Sequence, residues 1–321
     1  MNILVLSAGT RNKIVQYLKK ELDGEGKVIA TDCSELAPAL YDADNYYIVP
    51  RITDENYISI ILDICKKENI NTLISLIDPE LSLIAKNIEL FKELGVNPII
   101  SDYDKVEMCF DKYKMYEFLK KNDFKTPKTY INKEEFYNDL ENNEINFPVF
   151  VKPVRGSASI NINKINNKEE LEVIWKQADN LIIQEFMTGQ EYGVDVYIDM
   201  ISNEPVSIFI KKKIKMRAGE TDKSVSIKDD RLFDLINDFV RKVGFKGIID
   251  IDIFEINGEY YVSEVNPRFG GGYPHAYECG VNVPKMIINN VKGQANEKQI
   301  GQYDEGVYMM KYNEIKIRRK K

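Results

Sequence analysis

The sequence predicts an α/β amino-terminal unit built on a parallel sheet, followed by an α+β region whose strands run in pairs. Three observations carry this prediction. In the first third, short apolar runs alternate with segments whose apolar residues recur at helical spacing, the pattern of a parallel sheet covered on both faces. From about Ser101 the texture changes, and strand-like runs cluster near 181–185, 191–199 and 205–210. Finally, Asn257-Gly258 lies between runs at 248–255 and 259–265, a strong hairpin signal.

The elements follow in order. Ile3 to Leu6 is a strand ending in Ser7-Ala8-Gly9-Thr10, and Ile14, Leu18 and Leu22 mark the helix after it. Val28 to Ala30 is a second strand ending at Thr31-Asp32. Ile58, Ile61, Leu62 and Cys65 share a helix face. Thr72 to Ile77 is a third strand ending at Asp78-Pro79-Glu80, and Leu81, Ile84, Ile88 and Phe91 give a helix capped by Gly95. Ligands of parallel sheets gather beyond the strand carboxyl ends, where Thr10, Arg11, Asp32, Asp78 and Glu80 all fall. Next come a helix through Lys112 to Leu119, a break at Thr126-Pro127 and a strand from Phe147 to Lys152. Leu171, Ile174 and Trp175 mark one later helix, and Leu232, Leu235, Ile236 and Phe239 another.

Composition narrows the function. The 321 residues, 44% hydrophobic and 30% charged, suffice for two or three small domains. Nineteen Tyr and 14 Phe argue against disorder, and a net charge of -7 disfavours a general nucleic-acid binder. The basic ending Lys316 to Lys321 reads as a solvated tail, with a nucleic-acid or membrane patch as the alternative. Cys33, Cys65, Cys109 and Cys279 form no CxxC pair, so neither a zinc site nor a disulfide framework is expected, and free thiols suit a reducing cytoplasm. No signal segment and no membrane span are expected.

Four features carry chemistry. Phe150-Val151-Lys152-Pro153 ends a strand and meets the small-residue turn Arg155-Gly156-Ser157-Ala158-Ser159. Backbone N–H groups of such a turn cradle phosphates and a lysine adds a point charge, although a hairpin with a surface lysine fits the same residues. Gln184-Glu185-Phe186-Met187 ends another strand, with Glu191 beyond it. Exposed backbone groups there suit adenine and a carboxylate suits ribose hydroxyls; solvated strand-end charges are the alternative. Lys211, Lys213, Lys215 and Arg217 fall on one face of an ideal strand, where anions or bulk solvent must relieve their repulsion. In Ile249-Asp250-Ile251-Asp252-Ile253-Phe254, aspartates alternate with isoleucines. The hairpin to Glu264-Val265-Asn266-Pro267-Arg268 can bring Asp252, Glu264 and Asn266 together as oxygen ligands for Mg²⁺.

In this order, with Asp111-Lys112 before and Gly270-Gly271-Gly272-Tyr273-Pro274 after, these motifs resemble the ATP-grasp superfamily over nearly the whole chain. The chain looks closest to the branch holding carbamoyl-phosphate synthase large-chain-like proteins and pyrrolysine-pathway ligases. The resemblance implies a pre-ATP-grasp Rossmann-like domain at 1–105, small and large ATP-grasp subdomains at 106–188 and 189–295, and a carboxyl-terminal strand and basic tail at 296–321. It implies ATP and Mg²⁺ (or Mn²⁺) as cofactors. Lys112 and Lys152 would contact phosphates, with the turn at Gly156 and Ser157 closing over them. Gln184, Glu185 and Met187 would meet adenine, and Glu191 the ribose. Asp252, Glu264 and Asn266 would hold the metal, and Arg268, Lys215 and Arg217 would stabilise the transferring phosphoryl group.

The implied reaction is ligation of a small-molecule carboxylate to an amine through an acyl phosphate. A phosphotransferase and a non-catalytic ATP-binding regulator are the alternatives. Arg11, Arg51 and Asp78 are candidate substrate contacts. His275, the only histidine, reads as a proton-transfer group or as a hydrogen-bonded structural residue. Homodimers are common among similar proteins. Ser7-Ala8-Gly9-Thr10 is neither G-x-G-x-x-G nor a Walker motif, and 321 residues are too few for a whole carbamoyl-phosphate synthase large chain. Carbamoyl phosphate synthesis is therefore not expected.

Overall fold

The computed structural model describes residues 1–156 and 162–319. The amino-terminal unit contains β1 (Asn2–Leu6), α1 (Asn12–Leu22), β2 (Lys27–Asp32), β3 (Asn45–Ile48), α2 (Tyr57–Lys67), β4 (Thr72–Ser75), α3 (Asp78–Lys86) and α4 (Ile88–Glu93). Its four strands are parallel in the order β3-β2-β1-β4. Strand periodicity splits β1 between two cores: Ile3 and Val5 join Ile14 and Leu18 of α1, whereas Leu4 and Leu6 join Ile61 of α2 and Leu81 of α3. The single helix expected over Leu81 to Phe91 is broken at Asn87 into α3 and α4.

The chain continues through α5 (Tyr103–Phe110), α6 (Lys112–Lys121), β5 (Thr129–Tyr130), α7 (Lys133–Glu141), β6 (Val149–Pro153), β7 (Asn163–Ile165), α8 (Lys168–Trp175) and β8 (Leu181–Glu185). These strands form an antiparallel sheet, β5-β8-β6-β7, with its own core around Phe136, Val149, Val151, Leu171 and Ile183. Asp111 separates α5 from α6 and caps α6, its Oδ1 accepting from the Lys114 N–H at 3.1 Å.

A larger sheet follows, from β9 (Gln190–Ile198), β10 (Pro205–Arg217), β11 (Glu220–Ile227), β12 (Gly247–Ile256), β13 (Glu259–Asn266) and β14 (Tyr308–Met310), in the order β13-β12-β9-β10-β11-β14. One face, with Val194, Val196, Ile249, Ile251 and Ile253, packs on Leu232, Ile236 and Phe239 of α9 (Asp230–Val243). The opposite face carries Glu191, Asp195, Lys211, Lys213, Asp250 and Asp252, and it looks toward the amino-terminal unit and the smaller sheet. The short helices α10 (Tyr273–Glu278) and α11 (Val283–Val291) close the fold. No helix among the described residues is long and apolar enough to cross a membrane.

Candidate active site

Register builds the centre of the site. Asp252 pairs with Glu264 and Asp250 with Asn266 across β12 and β13, so side chains two residues apart on each strand share one face. The extra residue at Ser263, where the pairing steps from Asp252–Glu264 to Ile253–Val262, leaves this face intact. On β9, Gly193 lies opposite Asp252. A Cβ at Gly193 would come within 2.9 Å of Lys211 Cε and 3.2 Å of Lys213 Cε, so the missing side chain makes room for both lysine stems. The Lys213 ammonium then reaches Asp252 Oδ1 at 2.6 Å and Glu191 Oε1 at 2.7 Å. Burial lowers the Lys213 pKa, but Asp252 and Glu191 outweigh it and hold the group above its ordinary value. Glu191 is raised by burial against the opposing pull of Lys213.

The smaller sheet supplies the facing wall. Lys152 on β6 is buried, which depresses its pKa; Glu264 opposes that effect and Lys112 adds to it. Lys112, at the start of α6, donates to the Gly156 carbonyl at 2.5 Å, and burial depresses its pKa also. Gln184 turns its amide onto Thr129 Oγ1 at 3.0 Å, and Glu185 accepts from the Lys128 N–H at 3.0 Å. Lys152, Gln184, Glu185, Met187, Glu191, Asp252, Glu264, Asn266 and Arg268 all line one cavity of about 480 Å³. Phe150, Met187 and Phe254 give one end of it an apolar lining.

From Phe254 through Asp252 to Asp250 the cavity runs along β12, about 3.3 Å per residue, to a highly charged far end. There Arg268 meets Asp78 Oδ2 at 3.2 Å and Asp250 at 3.6 Å. Burial opposes its charge, but Asp78 and then Asp250 prevail and raise its pKa. Asp250 itself is pushed up to about 7, chiefly by burial and next by Asp252, while Lys211 and Arg268 pull the other way. Arg11 of the amino-terminal unit pairs with Glu220 at 2.9 Å, and Glu220 also holds Lys311 at 2.8 Å. The glycine run follows from these neighbours. A Cβ at Gly270 would meet Asp250 Oδ1 at 2.4 Å, one at Gly271 the Glu220 Cδ at 2.6 Å, and one at Gly272 the Lys211 Cε at 2.6 Å.

Several expectations need correction. Lys211, Lys213, Lys215 and Arg217 do not share a face. The pairing of β10 with β11 shifts between Lys213 and Lys215 and again between Lys215 and Met216, so the alternation fails. Met216, not Lys215, lines the cavity, and Lys215 and Arg217 are exposed. Arg217 pairs with Asp222 at 3.1 Å. Arg51 is exposed and away from the cavity, whereas Arg11 and Asp78 line it. Glu80 is not a ligand group: it is fully buried and accepts from the hydroxyls of Ser7, Tyr57 and Ser75, tying the strand ends together. Ser157 lies outside the described residues. His275 is enclosed, its Nε2 facing the Val307 carbonyl at 3.0 Å and its Nδ1 the Ser224 hydroxyl at 2.8 Å. Those partners fix the Nε2–H tautomer, and burial, aided by Lys211, depresses its pKa to about 4. Lys213 was visible in the basic run, and Asp250 in the alternation with Asp252. Glu220 had no local signal, because its meaning comes from Arg11 in a distant segment.

The oxygen donors suit magnesium. No group of three or more His, Cys, Asp or Glu that could hold a metal occurs among the described residues. Two carboxylates and one amide are too few for a dedicated cage, but Mg²⁺ completes its shell with phosphate oxygens and water. A lysine-fronted cavity with an apolar end and this donor set fits a magnesium nucleotide.

Comparison with known proteins agrees. A family model described as the ATP-grasp domain matches residues 109–272, and one described as the PylC-like N-terminal domain matches 3–99. The chain belongs to the ATP-grasp family. It is 26% identical over 293 residues to the formate-dependent phosphoribosylglycinamide formyltransferase of Prochlorococcus marinus, covering 83% of this chain and 69% of that one. It is 26% identical over 281 residues to the carbamoyl phosphate synthase large chain of Clostridium botulinum, covering 81% of this chain but 25% of that one. Among solved structures, the biotin carboxylase domain of the Hydrogenobacter thermophilus 2-oxoglutarate carboxylase, a dimer with MgADP, ADP and bicarbonate, matches with a TM-score of 0.77 at 17% identity. That match covers 96% of this chain and 73% of the other.

Proposed function

We propose that this cavity transfers the γ-phosphoryl group of Mg·ATP to a substrate carboxylate and delivers the acyl phosphate to an amine. Met187, Phe150 and Phe254 enclose the adenine, and Glu191 takes the ribose. Lys152 and Lys112 sit over the phosphates. Asp252, Glu264 and Asn266 would hold Mg²⁺, which would supply charge neutralisation at the phosphates. Arg268, fixed by Asp78 and Asp250, faces the transferring group and lowers the cost of its developing charge. Lys213, bonded to Asp252 and Glu191, adds a fixed positive charge beside both. A carboxylate oxygen attacks phosphorus and ADP departs; the amine then attacks the acyl carbon, releasing phosphate and a proton.

One observation supports this reading above the rest: Asp252, Glu264 and Asn266 share a face of the hairpin and line the same cavity as Lys152. The test follows oxygen. A carboxylate pool labelled with ¹⁸O, supplied with ATP, Mg²⁺ and mixed amines, is expected to yield one labelled oxygen per phosphate released with each amide. A stable phosphorylated product with no amide would sink the ligase reading. Glu264→Gln is expected to cut turnover by about 100-fold or more with an unchanged circular dichroism spectrum, because the near-isosteric amide removes metal charge compensation. Full turnover by that variant would remove Glu264 from the metal site.

A further inference from the structure

We propose that the charged far end of the cavity reads an α-amino acid, whose carboxylate and ammonium insert between Arg11 and Glu220. This rests on the ligase reading above and names one of its substrates by class. The Arg11–Glu220 pair joins the loop after β1 to the β10–β11 hairpin, and both residues line the cavity. Their side chains keep 23% and 39% of their surface, so a ligand reaches them, unlike the enclosed Arg268–Asp78 pair. Lys311 also holds Glu220, so the carboxylate keeps its place when Arg11 turns to a ligand. Gly271 runs beneath: a Cβ there would come within 2.7 Å of the Arg11 guanidinium and 2.6 Å of Glu220 Cδ, so both head groups rest on bare backbone.

The balance of charge selects the ligand. Three cations, Arg11, Arg268 and the Lys311 that holds Glu220, balance three carboxylates, Asp78, Asp250 and Glu220, so the site suits a ligand with no net charge. Asp78 Oδ1 is buried with no hydrogen-bond partner, so it offers an approaching group only an acceptor. A phosphorylated substrate would bring its negative charge against those carboxylates, and a simple amine would leave Arg11 unmatched. A zwitterion satisfies both poles by exchanging one ion pair for two, its carboxylate on Arg11 and its ammonium on Glu220.

The test is calorimetric titration of the whole protein saturated with Mg²⁺ and a non-hydrolysable ATP analogue. The probes are the twenty L-amino acids, D-alanine, the matching α-hydroxy acids, the matching decarboxylated amines and ribose 5-phosphate. At least one amino acid is expected to bind, with its hydroxy acid and its amine each weaker by about tenfold or more. Glu220→Gln is expected to erase the preference over the hydroxy acid, and Arg11→Met the preference over the amine. Both shifts are in selectivity, which a merely structural role would leave alone. The proposal is overturned if ribose 5-phosphate binds more tightly than every amino acid, if no amino acid binds while the analogue does, or if both variants weaken all probes equally. Failure of the ATP analogue itself to bind would instead remove the nucleotide reading, and this inference with it.

Discussion

Lys211→Met tests the electrostatics beneath the cavity. Lys211 is 1% exposed and its ammonium is bonded to Asp195, also 1% exposed. Lys211 meets Asp195 Oδ2, Asp195 Oδ1 has no hydrogen-bond partner, and Asp250 lies on the same face one strand away. Methionine keeps most of the stem that threads between Gly193 and Gly272, so the change removes charge with little change of shape. What remains is a buried carboxylate without its cation, which costs about 3–5 kcal/mol. Against a total stability of about 5–15 kcal/mol, that is a large fraction. For a unit of this size it corresponds to a fall of about 6–20 °C in melting temperature. Urea unfolding read by circular dichroism is the assay, with a lower midpoint and an unchanged slope expected. The double variant Lys211→Met with Asp195→Leu is expected to recover most of the loss, since an apolar pair leaves no charge stranded. A single variant within about 1 kcal/mol of the parent would refute the reasoning, because the pair would then behave like a solvated surface bridge.

Two further outcomes can be measured. Gly272→Ala places a methyl 2.6 Å from Lys211 Cε, and the ammonium anchored on Asp195 prevents the stem from retreating. A loss of about 1–3 kcal/mol is expected, smaller in the Lys211→Met background because the two sites share a neighbour; strictly additive urea midpoints would count against that contact. His275 sets a pH dependence: its folded pKa of about 4 lies below the ordinary 6.5, so folding favours the neutral ring. That contribution is whole above pH 6.5 and is lost as pH falls toward 4, on the order of 3 kcal/mol in total. His275→Gln is expected to flatten the stability curve over this window, and parallel curves for parent and variant would show that the ring does not titrate there.

The parts legible in the sequence were those that depend on one strand or one turn. Isoleucines alternating with aspartates over 249–253 declare a two-sided strand, and Asn257-Gly258, both at positive φ, declares the turn that folds Glu264 back beside Asp252. Ile3 to Leu6 was equally plain, being apolar throughout and buried on both faces. What stayed hidden depends on partners. The irregular pairing near Lys215 is set by β11, so β10 read alone gives an alternation that the sheet does not keep. Strand β3, Asn45–Ile48, has little buried surface and pairs only along the sheet edge, and it left no apolar pattern to find. Likewise Glu80 falls where ligands gather, yet three hydroxyls from separate elements make it an internal tie.

The bond between Arg268 and Asp78 crosses from the nucleotide-binding half of the protein to the amino-terminal one. Neither half is therefore a freely exchangeable module. A chimera that grafts a different leading domain onto residues 109–272 must supply an acid where Asp78 stands, or Arg268 keeps Asp250 as its only ion-pair partner in an enclosed setting. Recombination between paralogues is thus expected to fail when the two ends of this contact are separated.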